Sequence, residues 1–280
     1  MAWTNTNREI ADRRKAVHAR TGMQSDMTDA EWALVEPHIH ERPHGNRRVE
    51  PRRVVDAIFY LARTGCQWDA LPPAYPPRST VNDYFMKWTG NGTFDRILHA
   101  LVMGDREDGG REASPSVAVV DSQSVKSGPT RGGSKLMTSG WDGGKKINGA
   151  KRTVIVDTVG NLLAVVVTAA SAGDRMVAAA LLAATRPLFP FVQLVLGDSG
   201  YSGPAMAGAV ASSGSWRFEV EKRSDAGTGF KPNRRWAVER FFAMAGLSRR
   251  LSKNYERYDE TAESWVRIAH IRVLLRRKST

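Results

Sequence analysis

Ser116-Val117-Ala118-Val119-Val120-Asp121 decides how the chain is read. A short apolar run, rich in β-branched valine, follows a polar stretch and stops at an acid. Such a run, bounded by turn-forming residues, predicts a buried strand. The same form returns at Phe191-Val192-Gln193-Leu194-Val195-Leu196-Gly197-Asp198. Between them, Thr153-Val154-Ile155-Val156-Asp157 predicts a second strand. Gly160-Asn161 is a hairpin turn into a third over 162–168. Met176, Val177, Ala180, Leu181 and Ala184 lie at helical spacing after Asp174. A short helix (203–211), a fifth strand (216–220) and helices over 234–252 and 261–277 complete the pattern. Strands first and alternation afterwards describe an α/β fold: a mixed five-stranded sheet with helices on its faces.

Upstream the periodicity is helical. Thr28 and Glu31 form a capping box before Trp32, Leu34 and Val35. Pro51 opens a second helix with an apolar stripe of Val54, Val55, Ile58, Phe59, Leu61 and Ala62, and Gly65 closes it. The prolines of Leu71-Pro72-Pro73-Ala74-Tyr75-Pro76-Pro77 exclude a helix interior. Ser79 or Thr80 caps a third helix, and a fourth runs over about 94–102. Short helices joined by tight turns suit a helix-turn-helix module, or a plain helical bundle. The polar segment 104–116 reads as a linker. The expected organisation is therefore a basic arm (1–26), a helical domain (27–104) and an α/β domain (116–280). The Gly-, Ser- and Lys-rich stretch 122–151 reads as a surface loop.

The chain has 280 residues, 41 Lys+Arg against 29 Asp+Glu, and a net charge of +12. That surplus favours a polyanionic partner, above all nucleic acid. The single cysteine, Cys66, excludes a disulfide framework and a cysteine-built zinc site, and reads as a buried structural thiol. No apolar run is long enough to span a bilayer, and the N-terminus lacks the apolar core of a secretory signal.

Asp121 and Asp198 each end an apolar run. Acids at strand ends sit on a rigid base and can converge, and a shared cation relieves their repulsion. Either one alone reads equally well as a turn cap. Glu239 adds a third acid on a helix, with Arg235 one turn before it on the same face. Asp157 and Asp174 are rival acids for which a turn and a helix cap suffice. His38, His40 and His44 cluster loosely without a pairing cysteine and read as a polar loop.

Several segments, taken in order, resemble the IS5 family of insertion-sequence transposases. They are Arg63-Thr64-Gly65-Cys66-Gln67-Trp68, Val119-Val120-Asp121-Ser122-Gln123-Ser124-Val125-Lys126, Gly143-Gly144-Lys145-Lys146, Gly197-Asp198-Ser199-Gly200-Tyr201, Arg235-Trp236-Ala237-Val238-Glu239-Arg240 and Arg249-Arg250-Leu251-Ser252-Lys253-Asn254-Tyr255-Glu256. The resemblance implies an RNase H-like domain whose catalytic, metal-holding triad is Asp121, Asp198 and Glu239. Forty-one positions part the last two, too few for a large β insertion. Pro232 and Gly246 stand where the family's helix signature has Tyr and Lys, and Ser202 where relatives often carry Arg.

The expected activity is cleavage of a strand at the element's terminal inverted repeats, then transfer into target DNA. Mg²⁺ or Mn²⁺, as two ions, would assist both steps. Lys126, Lys145, Lys146, Lys151, Arg152, Arg235, Arg249, Arg250 and Lys253 are the expected DNA contacts. The partners are double-stranded transposon ends and target, and a second copy of the chain in a dimer. The setting is the bacterial cytoplasm, at the nucleoid. An inactive DNA-binding descendant and a nuclease without strand transfer are the alternatives.

Overall fold

The computed structural model describes residues 23–39, 49–128, 139–212, 216–220 and 236–278. Residues 1–22 of the expected basic arm, Arg235, His40 and His44 fall outside these, while Ser25 and Asp26, placed in that arm by the sequence reading, are buried in the first unit. The chain divides into two compact units, and the division is not a single cut. One unit holds residues 1–101, 247–251 and 264–280; the other holds 102–246 and 252–263.

The first unit is helical. Helix α1 (Asp29–Val35) carries the expected capping box: Thr28 accepts from the Glu31 N–H, and Glu31 reaches back to the Thr28 N–H. Helix α2 (Pro51–Thr64) begins on its proline, and its whole predicted stripe is buried. It ends at Gly65, whose φ of 65° is the left-handed conformation that glycine adopts without a Cβ penalty. A Cβ there would also stand 3.0 Å from the Arg249 backbone. Helix α3 (Arg78–Gly90) starts a residue or two before the expected Ser79 or Thr80 cap, directly after Pro77. Helix α4 (Thr93–Asp108) follows. The aromatic core joins Phe85, Phe94, Trp68 and Trp88 to Trp265, with Phe85 and Trp265 stacked at 4.6 Å. Cys66 is half-buried rather than buried.

An ionic knot ties the start of this unit together. Arg53 pairs with Asp26 at 2.8 Å and Asp56 at 3.2 Å, while Tyr75 donates to Asp26 at 2.6 Å. Asp56 also accepts from the Met27 N–H. Burial pushes the Asp56 carboxyl up to about 7; the Met27 N–H and Arg53 oppose the rise without cancelling it. The folded state therefore holds this proton more tightly than the unfolded chain, whose carboxyl titrates near 4. The stability this group contributes is whole below pH 4 and is lost as pH rises through 7. Asp56→Asn keeps the acceptor for Met27 but cannot ionise. The stability gap between variant and wild type should widen by on the order of 3 kcal/mol from pH 4 to pH 8. Urea unfolding across that range measures it, and parallel curves for the two proteins would refute it.

The second unit is built on a mixed sheet. Its strands are β1 (Val117–Lys126), β2 (Gly140–Asp142), β3 (Ile147–Asp157), β4 (Leu162–Ala169), β5 (Leu194–Gly197) and β6 (Arg217–Val220). The order is β2-β3-β1-β5-β6, with β4 on the same side of β3 as the short β2. β1, β3 and β4 are antiparallel neighbours; β5 and β6 run parallel to β1. Helices α5 (Asp174–Thr185), α6 (Pro204–Ser212) and α7 (Trp236–Gly246) join or flank the strands. α8 (Asp259–Lys278) ends the described chain. This is the RNase H-like arrangement expected from the sequence, with β2 as a sixth strand. No described helix is long and apolar enough to cross a membrane.

Two sequence expectations are corrected. The stretch 122–151 is not wholly a loop: β1 continues to Lys126, and β3 starts at Ile147, paired from Ser122↔Thr153 to Lys126↔Gly149. Polar residues lie in strand there because cross-strand hydrogen bonding, not apolar patterning, holds them. The fourth helix does not stop near 102. Its last turn reaches the β3–β4 turn, where Arg106 pairs with Asp157 at 2.7 Å and Asn161 donates to Asp105 at 2.8 Å.

Candidate active site

The parallel register of β1 and β5 runs Val117↔Leu194, Ala118↔Val195 and Val119↔Leu196. Continued two places, it sets Asp121 beside Asp198. Asp121 does not end its strand, as the sequence suggested; it lies mid-strand, at the point where the parallel partner stops. Asp198 is the cap of the 3-10 turn Ser199–Tyr201 and accepts from the Gly200 N–H at 2.8 Å. Asp121 accepts from the Ser122 N–H at 2.7 Å. Both residues are half-buried. Strand alternation turns Asp121 and Gln123 to the face opposite Ser122 and Ser124.

The Ser122 face carries a second constellation. Ser122 donates to Asp174 at 3.1 Å, and Asp174 pairs with Lys151 at 2.8 Å. Lys151 also donates to the Ala172 carbonyl. Asp174 does not cap α5, as expected; Gly173 does, and Asp174 begins the helix with its carboxylate on Lys151. Tyr201 stands close by. Its hydroxyl is buried. Burial raises its pKa, and the negative charges of Asp121, Asp174 and Asp198 push the same way, against the Ser122 hydroxyl. Three carboxylates thus act on one phenol. Ser122 and Tyr201 had no assigned role in the sequence reading, and Asp174 was read only as a helix cap; Ser122 and Tyr201 sit within three positions of a candidate acid, which was the available signal.

Glu239 is placed differently. α7 packs against β1 and β3 through a buried side of Ala237, Val238, Phe241 and Ala245, and Glu239 is exposed. Among the described residues, no three His, Cys, Asp or Glu side chains form a group that could hold a metal ion. The expected convergence of three acids is therefore not present in this structure. The donor chemistry still suits magnesium, which takes oxygen ligands and is commonly held by one or two carboxylates with substrate phosphate and water completing the shell. Asp121 on β1 and Asp198 just past the end of β5 are two such carboxylates.

The expected DNA-contacting cations divide by burial. Lys126, Lys145, Lys146, Arg249 and Lys253 are exposed. Lys151, Arg152 and Arg250 are not: each is less than a tenth exposed. Lys151 is committed to Asp174. Arg152 donates to the Lys253 carbonyl, and burial lowers its pKa to about 10. Arg250 stacks on Trp68 and Trp265 and donates to the Cys66 carbonyl. These three serve the fold, because strand register and aromatic packing turn them inward.

Two family models match the chain. One, described as a transposase of the IS4/5 family, covers residues 27–98. The other, described as a transposase DDE domain, covers residues 112–274. No curated protein and no solved structure matches the chain.

Proposed function

The chain belongs to the DDE-domain transposases of the IS4/IS5 insertion-sequence type, and on that premise we propose that it cleaves DNA at the terminal inverted repeats of an insertion sequence and joins the freed ends to target DNA. The observation that carries the reading is the register that sets Asp121 next to Asp198 at the end of β5.

In this reading Asp121 and Asp198 hold Mg²⁺ or Mn²⁺, two ions in the working complex, and Glu239 completes the set once DNA is bound. That third role is supported by the transposase DDE-domain match, which spans residue 239. The bound metal supplies Lewis-acid activation of the attacking oxygen and charge relief at the leaving one. The protein's own residues do the rest. The Ser122 and Gly200 N–H groups orient the two aspartates. Exposed Lys126, Lys145, Lys146, Arg249 and Lys253 take DNA phosphates, while Arg235 is proposed from sequence alone. The helical region 27–104 binds the terminal repeats, and 116–280 carries the chemistry. The protein works as a dimer on DNA, at the bacterial nucleoid.

Incubation of the full chain with end-repeat DNA, a target plasmid and Mg²⁺ tests this on a gel. Joined products are expected, and chelation should abolish them while a band shift persists. Cutting without joining would make it a nuclease, and a shift alone an inactive binding protein. Products that survive chelation would refute the metal.

A further inference from the structure

The pairing of β1 with β5 stops at Val119↔Leu196. Asp121 and Asp198 both lie beyond that point, so the ladder itself does not fix the gap between them. Two carboxylates brought together also repel, and the pair drifts apart unless its backbone is held.

The first turn of α5 spans the gap. Asp174, its first residue, accepts from the Ser122 hydroxyl at 3.1 Å, one residue from Asp121. Arg175, its second, donates through Nε to the Gly200 carbonyl at 2.9 Å. Gly200 is the residue whose N–H holds the Asp198 carboxylate. Two adjacent residues of one helix thus grip the segments of both acids. A regular element is rigid over one turn, so the spacing of its two attachment points passes to the acids beside them.

The helix is itself anchored. Lys151 of β3, with 6% of its side chain exposed, pairs with Asp174 and donates to the Ala172 carbonyl, both at 2.8 Å. Its register opposite Ser124 puts Lys151 on the Ser122 face of the sheet. A buried ammonium is stable only with partners that offset its desolvation, and these two fix the start of α5 against β3. Val177, Ala178, Leu181 and Leu182 bury the rest of the helix. Arg175 is exposed. Removing its side chain leaves the core untouched and releases only the turn it grips.

We propose that Asp174 and Arg175 are positioning residues that set the separation of Asp121 and Asp198, and through it the affinity of that pair for a divalent cation. This rests on the reading of the two acids as a metal pair given above. Neither residue is placed as a ligand. Magnesium demands near-ideal octahedral geometry, so an error in the spacing of its carboxylates is felt as lost affinity.

The test reads Mn²⁺ binding to the full chain without DNA, by electron paramagnetic resonance of the free ion. Wild type should bind, and Asp121→Asn should not. Arg175→Ala should weaken binding about tenfold, the scale of one charge-assisted hydrogen bond, and Arg175→Lys should recover most of the loss. Asp174→Ala would strand buried Lys151, so the other arm is cut at Ser122. Ser122→Ala keeps the backbone N–H on Asp121 and should match Arg175→Ala. The double variant should be no weaker than either, since a clamp is open once one arm is cut. Cleavage by Arg175→Ala should need about tenfold more metal yet come within about threefold of the wild-type rate at saturation, with the metal-free urea midpoint unmoved. The proposal falls if Arg175→Ala binds Mn²⁺ like wild type, or if the two losses multiply in the double variant. It also falls if the urea midpoint drops and Arg175→Lys restores nothing. Should wild type bind no Mn²⁺, or Asp121→Asn bind it equally well, the metal reading of the acids fails and the clamp with it. Binding that depends on Asp121 but not on Arg175 overturns the clamp alone.

Discussion

Asp121→Asn should lower strand cleavage by at least about a thousandfold while DNA affinity stays within about twofold. The substitution is nearly isosteric, and the amide oxygen still accepts from the Ser122 N–H. It removes only the charge. Losing one carboxylate from a metal site costs several kcal/mol of transition-state stabilisation, and about 4 kcal/mol is three powers of ten in rate. Single-turnover cleavage of labelled end DNA measures the rate, and a gel shift measures affinity. Asp198→Asn should match it, since the β1–β5 register, continued two places, brings Asp198 beside Asp121. Glu239→Gln is the informative comparison. Glu239 is exposed and outside any metal-holding group. A loss equal to that of Asp121→Asn would mean the helix delivers it when DNA binds; an unaffected rate would leave a two-carboxylate site. Cleavage by Asp121→Asn at wild-type speed would end the enzyme reading.

How far the sequence carried this site depends on what each segment gave away. The apolar runs at 117–120 and 194–197 specified buried strands because their side chains fit nothing else. Their acids were therefore readable as a pair. The continuation of β1 was not readable: Ser122, Ser124 and Lys126 look like loop, and their place in the sheet is set by long-range pairing with β3. That hid Ser124's bond to Asp142 and Ser122's bond to Asp174. Charge misled in a related way. Lys151, Arg152 and Arg250 belong to the same basic surplus as Lys145 and Lys146. A residue count carries no direction, whereas strand alternation and the stacking of Arg250 on Trp265 decide which cations face inward. The helix of Glu239 was legible from its periodicity, but its approach to the aspartates is a tertiary property.

Asp157 shows the opposite case, an acid whose structural role the sequence did indicate and whose removal should cost the most stability. Its carboxylate is fully buried. It accepts from the Val159 N–H at 2.9 Å, the Asn161 N–H at 2.8 Å and Arg106 at 2.7 Å. Asp157→Ala strands a guanidinium with 7% of its side chain exposed and orphans two backbone donors of the β3–β4 turn. Breaking a buried pair from one side costs about 3–5 kcal/mol, because the surviving charge is left without a partner. Against a total stability of roughly 5–15 kcal/mol, that is enough to unfold much of the second unit near 37 °C. Adding Arg106→Met to Asp157→Ala should recover part of the loss, since no charge then remains buried, although the turn donors stay unmet. Asp157→Asn should fall between wild type and alanine: its amide oxygen can still serve the turn, but it no longer neutralises Arg106. Chemical denaturation of the four proteins gives the ordering. A loss under 1 kcal/mol for Asp157→Ala, or a double variant less stable than the single, would show that Arg106 finds other compensation and that the turn does not depend on this carboxylate.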